Sequence, residues 1–305
     1  MAKANSISKA NSISKPANVV LNILFIIFSI ICIIPLVLVL SVSFSSEVSI
    51  AKDGYSFLPR HFSTAAYSYL FLNAKSIFHA YGITIFVTVV GSILSILVIA
   101  LYAYPLSRRD FKYRNFFTFV VFFTMLFNGG LVPWYLVCTQ ALHLKNTIWA
   151  MIVPYLISGW YVLIMRTFLA TGIPEAIVEA AKIDGCGEFR TFFSIVVPLA
   201  KPAFATIGLF TVLNYWNDWW LPLMLIDKDS LVNLQYTMYK IQTNIQYLTQ
   251  LAPSASAQAG NAVSQLPAET SRMAMCVIAI GPIILAYPFF QKYFVKGLTI
   301  GGVKG

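Results

Sequence analysis

The scarce charges of this chain are concentrated in one stretch. Only 11 of the 305 residues are acidic. Residues 166–201 hold four of them, which are Glu175, Glu179, Asp184 and Glu188. Pro174 suits the first position of a helix, helix formers run to Asp184, and Gly185 suits its C-terminal cap. A second short amphipathic helix is predicted at about 188–194. We interpret 166–201 as a rigid helix–turn–helix that serves as a docking element, with its charged side chains facing solvent.

A second polar cluster lies toward the end of an apolar stretch at 202–226. It combines aromatic and polar side chains, and its members are Asn214, Trp216, Asn217, Asp218 and Trp219. A charge at the centre of a membrane helix costs roughly 2.5–3.5 kcal/mol on insertion scales. Asp218 is therefore expected to face an aqueous cavity or the membrane interface. Tryptophan with asparagine and aspartate suits sugar recognition by stacking and hydroxyl hydrogen bonds, and the alternative is an interfacial aromatic belt.

Motifs of enzymatic chemistry are missing from the sequence. It contains no GxxxxGK[ST], so we expect the chain not to bind ATP itself. It also contains neither GxSxG nor HExxH. The histidines His61, His79 and His143 are isolated, with no metal-ligand spacing, and the four cysteines form no CxxC pair. We expect no catalytic residue, metal site or cofactor in this chain.

The elements that position these clusters are membrane helices. Hydrophobic residues make up 58% of the chain and charged residues 10%, with a mean hydropathy of +0.75. An average soluble domain carries about 25% charged residues. Six windows reach the roughly 20 apolar residues that a span requires. These windows are 19–46, 76–107, 115–144, 146–165, 202–226 and 273–291. The sequence predicts an all-α membrane protein with six transmembrane helices.

The basic residues indicate its orientation. If the N-terminus is cytoplasmic, the inner segments hold about twice as many of the 21 lysines and arginines as the outer ones. Both termini are then predicted to be cytoplasmic. The net charge of +10 thus reads as a topology signal rather than as a sign of a nucleic-acid partner. Residues 1–18, which contain a duplicated polar hexapeptide, are predicted to be a flexible tail.

Three further segments carry expectations. The loop at 47–75 is predicted to lie folded against the outer membrane face. The loop at 227–272 has the composition of a surface loop that docks something outside, or of an ordered cap with no partner. The third window is interrupted at 128–133 by glycine and proline. Such a break either faces a cavity at membrane depth or ends the helix at the interface.

The docking element also carries a resemblance. It resembles the EAA loop of binding-protein-dependent ABC importer permeases through Glu179, Ala180, Ala181, Asp184, Gly185, Cys186 and the later Pro198 and Pro202. Residues 297–305 resemble the tail of the MalG-like second permease subunit of carbohydrate importers. Residues 104–108 and 127–135 resemble the LplC/YtcP branch, which is linked to complex oligosaccharides. The resemblance covers nearly all of the chain beyond the tail and implies a type I ABC importer permease fold, with a permease domain over 19–296.

The resemblance implies roles and partners. Six residues would couple to a separate ATP-binding subunit: Glu179, Ala180, Ala181, Asp184, Gly185 and Cys186. Glu179 would face polar or basic groups there, Ala180 and Ala181 would allow close approach, and Gly185 would make the turn. Gly301 and Gly302 in the C-terminal tail would reach toward the ATP-binding pair, and the 227–272 loop would contact an extracytoplasmic solute-binding protein.

The expected assembly comprises this chain, a second permease subunit and two ATP-binding subunits that hold ATP and Mg. It would sit among the lipids of a bacterial cytoplasmic membrane and import an oligosaccharide by alternating access. Another polar solute, such as a polyamine, amino acid or peptide, is the first alternative. A stand-alone channel and an intramembrane enzyme are the others, and neither needs a docking helix pair.

Overall fold

A computed structural model describes residues 15–72, 74–251 and 267–301, and these are almost entirely helical. They divide into two compact units. One consists of Met1–Leu72 with Ile245–Ile278, and the other of Asn73–Asn244 with Ala279–Gly305. The predicted tail at 1–18 lies outside the described residues except for its last four, which already belong to the first helix.

The first unit contains one long apolar helix and two short ones. They are α1 (Lys15–Ser43), α2 (Glu47–Asp53) and α3 (Ala65–Phe71). The most apolar window of α1 has none of its residues buried. Side chains such as Phe25 and Phe28 are about two-thirds exposed. A helix with apolar residues all round needs lipid or another chain to cover it.

A hydrogen-bonded clamp organises the polar end of this unit. The carboxylate of Glu47 accepts hydrogen bonds from the backbone N–H groups of Glu269 and Thr270 and from the Thr270 hydroxyl, at 2.8–3.0 Å. These donors lie in the first turn of a long helix, α14, which begins at Ala268. A carboxylate at a helix N-terminus satisfies orphan N–H groups and the helix dipole together. The predicted 47–75 loop thus contains two helices, and its first residue caps another.

The second unit contains the remaining helices. They are α4 (Ala74–Ser107), α5 (Arg114–Leu126), α6 (Leu131–Leu136), α7 (Gly159–Gly172), α8 (Glu175–Ile183), α9 (Glu188–Thr191), α10 (Val197–Leu199), α11 (Lys201–Trp216) and α12 (Trp220–Leu225). Two more helices, α13 (Leu234–Leu251) and α14 (Ala268–Gly301), contribute to both units. Short 3₁₀ turns at Ile148–Met151 and Val153–Tyr155 precede α7.

The described helices overlap the predicted spans but are more broken, and one candidate pair, Glu188–Leu199 with Lys201–Trp216, takes in the second arm of the docking element. Two helices, Pro16–Ser43 and Ala74–Ser107, are long and apolar enough to cross a membrane. Three further pairs qualify together, with bends of 115°, 51° and 82°, which gives up to five spans by length and composition in the described residues. The bent pairs are Arg114–Leu126 with Leu131–Ala141, Ile148–Tyr155 with Gly159–Gly172, and Glu188–Leu199 with Lys201–Trp216. The sixth predicted window, 273–291, falls inside α14.

Two of the predicted boundaries change. The fourth window was expected to end at residue 165, but α7 continues to Gly172. The charged side chain of Arg166 does not end the helix, because it lies along the helix side and its Nε donates to the Leu106 carbonyl at 3.2 Å. The expected loop at 227–272 contains the 18-residue helix α13, and its residues 252–266 lie outside the described part. The predicted interruption at 128–133 is confirmed, since α5 ends before it and α6 starts within it.

The long helix α4 forms the centre of the second unit. It packs against α7 and α11, and its buried face alternates apolar with small polar residues. At Gly91 the ring of Tyr215 lies where a side chain would be, because a Cβ there would sit 2.7 Å from the ring carbon Cζ. The Tyr215 hydroxyl donates to the Ile152 carbonyl at 3.0 Å. Gly91 therefore allows α11 to approach α4 closely.

Candidate functional site

The first arm of the docking element is the helix α8. Its predicted start is wrong by one residue, because Pro174 has an extended ψ of 131° and caps the helix, which begins at Glu175. Val178 and Ala181 are buried against the core of the same unit, whereas Glu179 and Ala180 are exposed. The two predicted contact alanines thus face different ways. Ala180 is exposed, and Ala181 lets α8 pack closely on its own unit.

The turn after α8 is a Schellman motif. Gly185 has a φ of +76°, its N–H donates to the Lys182 carbonyl at 3.0 Å, and the Cys186 N–H donates to the Ala181 carbonyl at 2.9 Å. This pair of bonds with a left-handed residue is a common way to end a helix, and glycine adopts that conformation without strain. The prediction that Gly185 ends this helix is confirmed. The C-cap residue itself is Asp184, which is exposed, and Gly185 is the left-handed residue that follows it.

The second arm is longer than predicted. Helical structure runs from Glu188 to Leu199, whereas the sequence indicated 188–194. A π-helical turn at Phe192–Val196 joins α9 to α10, and both of its terminal side chains are buried. An 82° bend then leads into α11. The buried side chains of Phe192 and Val196 therefore fix the second arm to the core just before the chain bends into α11.

Charged side chains tie this element to the segment that follows α4. The ammonium of Lys182 lies 2.7 Å from Asp110 Oδ2 and 3.1 Å from Glu188 Oε1. The second carboxylate oxygen of Glu188 accepts a hydrogen bond from the Tyr104 hydroxyl at 3.1 Å. The hydrogen bond from Lys182 lowers the pKa of the Asp110 carboxyl, and the same bond raises the pKa of Lys182. Lys182 thus bridges both arms of the docking element and the end of α4.

A cavity of about 530 Å³ lies beside this network. Its walls combine apolar and charged side chains, which are Leu101, Tyr104, Pro105, Arg108, Asp110, Phe111, Glu188, Phe189 and Phe192. Arg109 pairs with Glu175 at 3.0 Å on the exposed surface nearby. The ion pairs of Arg109 and Asp110 join the segment after α4 to α8, and the Tyr104–Glu188 hydrogen bond joins α4 to α9.

The outer surface of the docking element carries two large apolar side chains. Ile183 is 86% exposed and Phe189 is 75% exposed, on either side of the Gly185 turn. They were missed in the sequence, although an isoleucine and a phenylalanine among charged residues were visible signals. Contiguous exposed apolar patches with a polar rim mark protein-interaction or membrane-interaction sites. Cys186 between them is half-buried.

Four of the five residues of the predicted polar cluster line one pocket. It has a volume of about 410 Å³, and its lining includes Asn214, Asn217, Asp218 and Trp219. Trp216 does not join them, because it is buried and its Nε1 donates to the Ala279 carbonyl at 3.0 Å. The other lining residues, which sequence reasoning missed, are Tyr155, Tyr161, Phe210, Leu213 and Trp220.

Asp218 occupies a break between helices rather than the interior of one. The predicted fifth span is interrupted at residues 217–219, between α11 and α12. Asp218 is 7% exposed, and its Oδ1 accepts from the backbone N–H groups of Trp220 and Leu221 at 3.1 and 3.2 Å and from the Tyr155 hydroxyl at 3.3 Å. Its Oδ2 is buried and has no hydrogen-bond partner among the described residues. Oδ1 thus accepts all three hydrogen bonds, and the buried Oδ2 accepts none from the described residues.

The remaining predicted residues are placed as follows. Gly301 is the last residue of α14, and Gly302 lies outside the described residues. Within the described part, no three acidic, histidine or cysteine side chains come together in a way that could hold a metal ion. The second unit thus carries an exposed helix–turn–helix at one place and a polar, aromatic pocket at another.

Comparison with known proteins identifies close relatives. The profile of the family described as “Binding-protein-dependent transport system inner membrane component” matches residues 91–300. The chain is 35% identical to the “Polygalacturonan/rhamnogalacturonan transport system permease protein YtcP” of Bacillus subtilis, over 92% of this chain and 95% of that protein. It is 37% identical to the “Protein LplC” of the same organism, over 90% of each.

A solved structure is similar over the same extent. It is that of “a bacterial ABC transporter involved in the import of the acidic polysaccharide alginate”, with a TM-score of 0.75 and 28% sequence identity. The likeness covers 91% of this chain and 96% of that one. The two chains therefore share their fold over most of their length.

Proposed function

Because the chain belongs to the family of binding-protein-dependent transport system inner membrane components, we propose that it is one of two permease subunits of an ATP-driven oligosaccharide importer. The chain is a membrane-embedded transport subunit, and ATP hydrolysis resides in separate subunits. We further propose six spans with both termini in the cytoplasm, in which α14 supplies the sixth span. This topology places the 166–201 segment inside the cell, where ATP is available.

The observation that carries the coupling role is the exposed surface around the Gly185 turn. Ile183 and Phe189 project from it, with Glu179 and Ala180 exposed on the same element. A short rigid element with an apolar centre and a charged rim suits insertion into a cleft of another protein. We propose that this cleft belongs to an ATP-binding subunit. Asp184 and Cys186 belong to the same turn, and Ala181 supports the surface from beneath.

The contacts beneath this surface support transfer of a movement of the docking element to the helices α4 and α11. Lys182 pairs with Asp110 and Glu188, and Phe192 is buried in the core that α4 shares with α7. A displacement of the docking element is therefore carried to α4 and α11 as a body, because close-packed interiors are not readily compressed. We propose that closure of two ATP-binding subunits moves these helices in this way and opens the pathway alternately to each side.

The substrate follows from the relatives and the pocket together. The printed name of YtcP assigns that protein to polygalacturonan and rhamnogalacturonan transport, and the similar solved transporter imports alginate. Aromatic and amide side chains around Asp218 suit a sugar ring, and the solute-binding protein would deliver it from outside. The proposed role of the C-terminal Gly301 and Gly302 is contact with the ATP-binding pair.

The coupling proposal is tested by co-purification. The chain is expressed with its partner permease and ATP-binding subunits, and the amount of ATP-binding subunit retained by the purified chain is measured. Ile183→Ser is expected to lower this retention at least severalfold and to abolish ATP-dependent uptake, with the chain still in the membrane. Leu58→Ser is the matched control, because Leu58 is 80% exposed but lies in the other unit.

Equal retention in the wild type and Ile183→Ser, together with normal uptake, would remove the docking assignment. Equal loss in Ile183→Ser and Leu58→Ser would show that any exposed apolar residue matters for assembly. In either case the proposed interface would be wrong.

A further inference from the structure

We propose that residues 56–62, which we call the outer tip, enter the outer leaflet of the membrane and form an interfacial anchor beside the span α1. The inference rests on the proposed topology, in which α1 crosses the membrane from the cytoplasm and ends at Ser43 on the outer side. It identifies the part of the 47–75 loop that contacts lipid. The occupant of the surface is the boundary between headgroups and acyl chains.

The first observation is the exposure of large apolar side chains on the outer tip. Leu58 is 80% exposed, Phe62 is 71% exposed and Phe57 is 55% exposed. The ring of Phe62 stacks on that of Phe44 at 5.6 Å, so Phe62 is held against the turn that follows α1 rather than projecting alone. Exposed apolar surface of this kind marks contact with a protein or with a membrane. The position of the tip relative to α1 distinguishes the two.

The second observation is that hydrogen bonds hold both ends of the outer tip beside the end of α1. The hydroxyl of Ser41, in the last turn of α1, donates to the Ser56 carbonyl at 2.9 Å. The N–H of Ser46, in the turn after α1, donates to the His61 carbonyl at 2.9 Å. The tip therefore cannot move away from the end of the span without losing these bonds, and its depth in the membrane follows from that of α1.

The third observation is where the apolar part of α1 ends. Residues 23–40 contain one polar side chain, Ser29, whose hydroxyl donates to a backbone carbonyl of its own helix. At about 1.5 Å per residue this run measures about 27 Å, close to the hydrocarbon thickness of about 30 Å. Ser41 follows the run directly. Its bond to the tip therefore places Phe57 and Leu58 at the outer edge of the hydrocarbon layer.

The exposed surface of α1 leads up to the tip. The most apolar window of α1 has none of its residues buried, and Leu40 at its outer end is half-exposed. The charged side chain within the tip, Arg60, pairs with Asp53 at 3.2 Å, so the tip adds no unpaired carboxylate to this surface. Aromatic and large apolar side chains beside charged ones are typical of segments that lie in the membrane interface. Lipid is therefore the occupant that fits the tip.

Photo-crosslinking tests which molecule covers the tip. The photoreactive residue p-benzoylphenylalanine takes the place of Leu58 in the full importer, held in nanodiscs of phosphatidylethanolamine and phosphatidylglycerol with the solute-binding protein present. After irradiation, the mass of the chain is expected to increase by one phospholipid. The yield is expected to be about tenfold above that at Lys52, the matched control, which is exposed in the same unit but charged. Phe57 is the second placement if the variant at Leu58 does not assemble.

A second measurement needs no photoreactive residue. Because Leu58 is largely exposed, Leu58→Asp removes little packing within the unit, whereas a carboxylate is unfavourable at the edge of the hydrocarbon layer. Backbone hydrogen exchange of residues 57–62 in the same nanodiscs is expected to accelerate severalfold in Leu58→Asp. Leu58→Ile keeps an apolar side chain and is expected to exchange as the wild type does.

Three results would overturn the anchor. A cross-link to the solute-binding protein or to the second permease subunit, in place of lipid, would identify the tip as a protein interface. A lipid yield at Leu58 no higher than at Lys52, or equal exchange in Leu58→Asp and the wild type, would place the tip in water. ATP-dependent uptake by the wild type is measured in vesicles of the same lipids. If that uptake is present, only the anchor fails, whereas its absence would refute the importer function.

Discussion

Substitution of Gly185 tests the geometry of the docking turn in isolation. The residue has a φ of +76°, and a Cβ built on it meets no atom within 4 Å. Alanine therefore fits the available space, and its only cost is backbone strain. The left-handed conformation costs an L-residue about 1–2 kcal/mol. That energy corresponds to a factor of about 5–30 in an equilibrium constant.

The assay is titration of the ATP-binding subunit onto the purified permease pair. If the unbound Gly185→Ala turn relaxes out of the left-handed conformation and the partner requires that conformation, association weakens by about 5–30-fold. Gly185→Asn is expected to weaken it less, because asparagine tolerates the left-handed region better than alanine. Gly187→Ala is the matched control. Gly187 has an ordinary φ of −69° and equally open surroundings, so association is expected to stay within about twofold of the wild type.

Two outcomes would refute this reasoning. Unchanged association in Gly185→Ala would mean that the partner does not require the Schellman turn. Equal weakening in Gly185→Ala and Gly187→Ala would mean that added side-chain volume, rather than backbone strain, disturbs the interface.

Three further predictions concern the packing that supports the sites. Lys182→Met removes two half-exposed ion pairs and is expected to lower the unfolding free energy by about 1 kcal/mol, which Lys182→Arg largely restores in thermal melts. Because the folded pKa of Asp110 is lowered and that of Lys182 is raised, this stability is present between about pH 4 and pH 10. This stabilisation is lost as the pH falls through the lowered pKa of Asp110 or rises through the raised pKa of Lys182. Asp110→Asn is expected to remove the dependence of stability on pH in the acidic range. Gly91→Ala is expected to destabilise the chain by about 1–3 kcal/mol through its 2.7 Å approach to an aromatic ring, whereas Gly82→Ala in the same helix meets nothing within 4 Å and has little effect on the melting temperature. Glu47→Gln weakens charged hydrogen bonds at the start of α14, so hydrogen exchange of that first turn is expected to accelerate.

Each of these predictions has a contradicting result. Equal melting temperatures for Lys182→Met and the wild type, equal effects of alanine at Gly91 and Gly82, or unchanged exchange in Glu47→Gln would each show that the contact named does not stabilise the fold.

Local signals made the docking element predictable from sequence. A glycine after a run of helix formers commonly ends the helix in the left-handed conformation, and Gly185 does so here. The apolar windows located the spans because hydropathy is also a short-range property. Pro174 was misplaced by one residue, since a proline fits both a cap and a first helical position and only its ψ of 131° decides between them.

Contacts between distant parts of the chain were not predictable. Asp110 and Lys182 are 72 residues apart, and their pairing depends on where α4 ends relative to α8. Which of Ala180 and Ala181 is exposed and which faces inward depends on the rotation of α8 about its axis, and packing decides that rotation. Hydropathy does not carry this information.

The lining of the pocket was likewise only partly predictable from the sequence. Asn214, Asn217, Asp218 and Trp219 were foreseen as a polar group, but Trp216 faces the α14 side and leaves the pocket. The lining residues Tyr155 and Tyr161 come from about 60 residues before Asp218 in the chain. A break between α11 and α12 was hidden because Trp and Leu continue the apolar pattern on both sides of Asp218.

Reconstituted sugar uptake tests the coupling claim most directly. Vesicles carry this chain, its partner permease and the ATP-binding subunits, with the solute-binding protein and a labelled oligosaccharide outside and ATP inside. We predict uptake that requires ATP and is abolished by Ile183→Ser, while the variant chain is present in the vesicles in normal amount. Uptake that proceeds without ATP or without the ATP-binding subunits would identify a channel and would contradict the role assigned to the 166–201 segment.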